Sequence, residues 1–99
     1  MHHVRAQAVR WVEEDWPGWV EVHLVEADGT VVSIVEKVPV VDATDRMVPG
    51  CAFPVELEIP CDVVDGGDER AVAIRLHYGI EDRQGRTLFH VDAGSLTTA

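Results

Sequence analysis

The stretch Trp19-Val20-Glu21-Val22-His23-Leu24-Val25-Glu26-Ala27-Asp28-Gly29-Thr30-Val31-Val32-Ser33-Ile34-Val35-Glu36-Lys37 reads as one antiparallel hairpin. Strand side chains alternate with a period of two, so Val20, Val22 and Leu24 share one face. A two-residue Asp28-Gly29 loop would set Leu24 against Ser33 and Glu21 against Glu36. A three-residue loop, Ala27-Asp28-Gly29 with Gly29 left-handed in a bulge, sets Leu24 against Val32 and Val22 against Ile34. The second register matches apolar with apolar on one face, and it is the one expected.

Outward from this hairpin the same periodicity recurs, and six strands are expected. The first covers roughly Val4 to Val12, with Val4, Ala6 and Ala8 on one face and Val9 and Trp11 on the other. Trp16-Pro17-Gly18-Trp19 reads as a type II turn leading into the hairpin. From Val38 to Pro54 no period is sustained and Pro39, Pro49 and Pro54 interrupt the chain. So long a connection is expected to cross between sheets or cover a barrel end, with a short helical turn near Thr44 to Met47.

Strand four alternates Val55, Leu57, Ile59, Cys61 and Val63 with Glu56, Glu58, Pro60 and Asp62. Pro60 cannot donate to a ladder, which predicts an edge strand or a bulge, and the acidic row discourages foreign pairing. Asp65-Gly66-Gly67-Asp68 reads as a flexible turn. Strand five places Val72, Ile74, Leu76, Tyr78 and Ile80 on one face, and strand six runs from about Arg86 to Asp92. Pairing Glu81 with Arg86 and Arg75 with Asp92 also sets Tyr78 against Phe89 and Leu76 against Val91. The tail beyond Gly94 is expected to be loose at its end. The fold class is therefore all-β: a single domain over residues 1–99 made of two three-stranded meanders, closed as a small, partly open antiparallel barrel or a compact sandwich.

Composition narrows the partners. The chain has 99 residues and a formal net charge of −10. Such a field repels phosphate backbones and anionic lipid, which argues against nucleic acid or membrane and favours a basic protein partner. No apolar run approaches the ~18 residues a membrane span requires, and the N-terminus carries no apolar signal segment, so a cytoplasmic setting is expected. Cys51 and Cys61 read as free thiols, the latter buried on a strand face as a small apolar group.

Two constellations bear on function. Trp11-Val12-Glu13-Glu14-Asp15-Trp16-Pro17-Gly18-Trp19 holds all three tryptophans beside three consecutive acids. Trp11 is expected to plug the barrel end. Trp16 and Trp19, with Glu13, Glu14 and Asp15, form a candidate partner-binding surface, because tryptophan anchors interfaces and carboxylates engage a basic partner. The proposed last hairpin would also place His77 opposite His90, two candidate metal ligands with Asp92 diagonal to them, although a metal site generally needs three or four ligands. Catalytic motifs are missing: there is no nucleophile elbow, phosphate-cradling glycine loop, His-Glu-x-x-His or Cys-x-x-Cys. The expected role is thus a non-enzymatic, cofactor-free protein-binding or adaptor module. The alternatives are a small-ligand or metal-binding barrel and an accessory subunit of a larger enzyme.

Overall fold

The computed structural model describes residues 1–42, 47–48, 50–65 and 71–98. The expected helical turn near Thr44 to Met47 and the turn at Asp65–Asp68 fall outside them except for Met47 and Asp65. Among the described residues seven strands form: β1 (His2–Glu13), β2 (Trp19–Val25), β3 (Val31–Lys37), β4 (Val55–Asp65), β5 (Val72–Leu76), β6 (Leu88–Val91) and β7 (Leu96–Thr98), with a short helix α1 (Val38–Val41) after β3. They make one curled antiparallel sheet in the order β3-β2-β1-β4-β5-β6, a half-barrel in which two three-stranded meanders join side by side through β1 and β4.

The deciding hairpin has the apolar-matched register. Leu24 faces Val32 and Val22 faces Ile34. Gly29 takes φ 89°, Gly29 N–H donates to Glu26 O, and Asp28 accepts from the Thr30 amide. Inward residues of every long strand, among them Val4, Val20, Val22, Ile34, Leu57, Ile59, Ile74, Phe89 and Val91, build one apolar core. Burying side chains of this size contributes roughly 1.5–3 kcal/mol each before the entropy cost.

Local departures from strict alternation account for most differences from expectation. In β1, Ala8 pairs with Val22 but Arg10 with Glu21, so Val9 is an extra residue in a bulge. The bulge inverts the phase, and Trp11 joins the core side instead of sharing the outer face with Val9. The first turn is type VI, not type II: Gly18 N–H closes it on Asp15 O at 2.7 Å around a cis Trp16–Pro17 bond. β4 lies inside the sheet, not at its edge. It pairs with β1 over Val55–Cys61 and with β5 only from Cys61 onward, so Pro60 has a strand neighbour on one side alone. The bulge in β4 falls between Val63 and Asp65, and Val63 is exposed.

The largest correction concerns β5 and β6. β5 stops at Leu76 and a 3-10 turn follows at His77–Gly79, with Tyr78 at φ 65°. The strands then pair four residues away from the charge-matched register: Ile74 faces Phe89, Arg75 faces Leu88 and Ala73 faces His90. Tyr78 is consequently exposed, and neither the Glu81–Arg86 nor the Arg75–Asp92 facing pair forms. Arg86 turns instead to Glu26 and Asp82. The tail is also less loose than expected, because Leu96 packs on the core while β7 pairs with the start of β1.

The half-barrel is drawn together where the β2–β3 turn meets β6. Ala27 N–H donates to His90 O at 2.9 Å, and Arg83 N–H to Ser33 O at 3.2 Å. Glu26, only 8% exposed, accepts from the Arg86 guanidinium and from the His90 amide. The other end is covered by the chain between β3 and β4, as its broken period suggests. Val38, Val40, Val41, Met47, Cys51 and Phe53 pack there against the core, and Asp42 receives the Met47 amide at 2.7 Å.

Candidate partner-binding tip

The β1–β2 hairpin ends in Asp15-Trp16-Pro17-Gly18, and its stem fixes how the tip is presented. Gly18 O accepts the Val38 amide at 2.9 Å, tying the turn to the start of α1. A Cβ at Gly18 would stand 3.2 Å from the Trp11 ring and 3.3 Å from Val38, at φ +83°. Glycine is required here on both counts, for the positive φ and for the close approach. Trp11 packs edge-on against Phe53, with centroids 6.1 Å apart, and plugs the barrel end as expected. Trp19 is half-buried, with Lys37 Nζ 5.5 Å from its ring centre and Glu13 as its cross-strand partner.

Trp16 is different: it is 90% exposed. Glu13, Glu14 and Asp15 are exposed beside it and make no ion pair among the described residues. The five residues singled out in the sequence therefore do share one end of the molecule. Trp16 and the three acids face solvent, while Trp19 braces the stem.

The two histidines are not brought together in the same way. His77 lies 3.0 Å from an Asp62 carboxylate oxygen, and His90 faces Ala73 on the exposed side of β6. Among the described residues no group of three His, Cys, Asp or Glu side chains could hold a metal ion. Both cysteines are free. Cys61 is buried, and burial together with neighbouring Asp62 pushes its thiol up to about 11, so it is held protonated and inert.

A charged cluster that the sequence reading missed sits on the outer face of β1–β3. Glu21 receives His23 at 2.9 Å, the Ser33 hydroxyl at 2.8 Å and the Arg10 guanidinium. These hydrogen bonds, His23 first, then Ser33 and Arg10, hold the carboxyl at about 2, well below its usual 4.5. The carboxylate stands between serine and histidine, so the Ser33 hydroxyl donates its hydrogen bond to Glu21 and not to an imidazole base. The arrangement lacks the order that acyl transfer requires. The hairpin register, with His23 opposite Ser33, was the available signal for half of it. Arg10 reaches Glu21 only because of the Val9 bulge.

The chain matches no described protein family, no curated protein and no solved structure. No helix among the described residues is long and apolar enough to cross a membrane.

Proposed function

We propose that the chain is a protein-binding module whose hairpin tip docks a basic partner through Trp16, with Glu13, Glu14 and Asp15 around it. The observation that carries this reading is the 90% exposure of Trp16 on a stem braced by Gly18, Val38 and Trp19. A large aromatic held in water on an ordered turn contributes nothing to the core, whereas burying it at an interface recovers a large apolar area. The three unpaired carboxylates and the net charge of −10 complement a surface rich in arginine or lysine, and they steer its approach.

Capture from cells of the source organism tests the reading, with wild-type and Trp16→Ala chains immobilised side by side. The expected result is a basic protein retained at low salt by the wild type, lost from Trp16→Ala, and released at high ionic strength. Retention that is indifferent to both Trp16 and salt would refute it.

A further inference from the structure

At the end of the hairpin away from the tip, the seam of the half-barrel is held at two points and open between them. β3 is the last strand on its side of the sheet, so one flank of it has no strand neighbour. In its ladder with β2, Glu26 N–H donates to Thr30 O, which makes that pair a hydrogen-bonded one. By alternation Val25–Val31 and His23–Ser33 are non-hydrogen-bonded pairs, and the backbone groups of Val31 and Ser33 point off the sheet. Arg83 N–H meets Ser33 O on that flank, as this phase requires. The Val31 N–H, the Val31 carbonyl and the Ser33 N–H make no hydrogen bond among the described residues. Beside them lies a cavity of about 290 Å³ lined by Thr30, Val31, Ser33, Asp82, Arg83 and Gln84.

The charges at this cavity are not equivalent. Asp82 Oδ1 accepts the Gln84 amide at 2.9 Å and the Arg86 amide at 2.8 Å. Glu26 holds the Arg86 guanidinium and the His90 amide. Arg83 is exposed and makes no ion pair among the described residues. Its amide fixes it at the Ser33 end of the cavity, whereas Glu26 and Asp28 belong to the turn at the other end.

We infer that this notch captures the C-terminal carboxylate of a partner peptide, whose last three residues add to β3 as a short parallel strand. Val31 N–H donates to the carbonyl of the third residue from the peptide's end, and Val31 O accepts the N–H of the last residue. Ser33 N–H then donates to the terminal carboxylate, which Arg83 neutralises. Two observations select this occupant. The next acceptor along the edge, Ser33 O, is already filled by Arg83 N–H, so an added strand has to stop there. The opposite direction would carry the carboxylate towards Glu26 and Asp28 and away from Arg83. The notch and the Trp16 tip lie at different ends of β2–β3, and neither proposal depends on the other.

The test is an amide chemical-shift titration of the full chain with N-acetyl-L-alanyl-L-alanine, which carries the acceptor, donor and carboxylate in the required order. Its C-terminal amide, which lacks the charge, and acetate, which lacks the backbone, are titrated beside it. The dipeptide acid is expected to shift the amides of Val31, Ser33, Arg83 and Gln84 saturably, and each control to bind about tenfold more weakly or less. Arg83→Gln is expected to weaken the acid about tenfold. Val31→Pro is expected to weaken it as much, since it removes an N–H that points off the sheet and serves no ladder. No saturable shift would overturn the proposal, and so would controls that bind as well as the acid or variants that bind it unchanged. Should a variant unfold, the comparison of the three ligands on the unsubstituted chain decides alone.

Discussion

Glu21 illustrates how much one outward-facing side chain can depend on its neighbours. Three donors from three strands converge on it, and its folded pKa of about 2 lies below the usual 4.5. A depressed carboxylate favours the folded state above its unfolded pKa, and that contribution is lost as the pH falls through the folded value. Glu21→Gln is therefore expected to cost about 1–2 kcal/mol at neutral pH, after discounting for solvent screening. The gap to wild type should close between about pH 4.5 and pH 2 in urea melts. A gap that persists unchanged at pH 2 would show that the carboxylate charge is not what matters. At this scale the acids and tryptophans of the tip were legible, because a turn with three carboxylates and an aromatic excess stands out in composition. The Glu21 cluster was not, because Arg10 enters it only after a bulge that nothing in Ala8-Val9-Arg10 announces.

Elements were legible where two constraints acted on the same register. In β2–β3 the Asp28-Gly29 turn chemistry and the Leu24–Val32 and Val22–Ile34 pairs agreed, and any one-residue slip would have exposed the core face. In β5–β6 a shift of four residues keeps every apolar side chain on its own face, so alternation could not choose between registers. Charge pairing then favoured the wrong one. Arg86 has better partners in Glu26 and Asp82 than in Glu81, and the strand gives way to a turn in which Tyr78 and Gly79 both take positive φ. The Glu26–Arg86 contact makes this testable, because it ties the β2–β3 turn to the β5–β6 connection across the open side of the half-barrel. A double-mutant cycle with Glu26→Ala and Arg86→Ala is expected to give a coupling energy of about 1 kcal/mol or more. Glu26→Ala should be the costlier single change, at about 2 kcal/mol, since it also strips the His90 amide of its acceptor. Strictly additive losses would contradict a seam held by this pair.

For the whole molecule, the two-meander plan follows from chain economy. Each meander is built from neighbouring segments, and one long connection joins the end of β3, at one side of the sheet, to β4 beside β1. That connection and Trp11 fill the end which the strands leave open. This leaves a division among the tryptophans: Trp11 serves the core, Trp19 braces the stem, and Trp16 stands exposed at the tip, where the proposed partner would dock. Urea unfolding of Trp11→Ala and Trp16→Ala, measured together, tests that division most directly. The expected result is a loss of about 3 kcal/mol for Trp11→Ala and no more than about 0.5 kcal/mol for Trp16→Ala. Equal losses would place Trp16 in the fold and remove the basis for a binding tip.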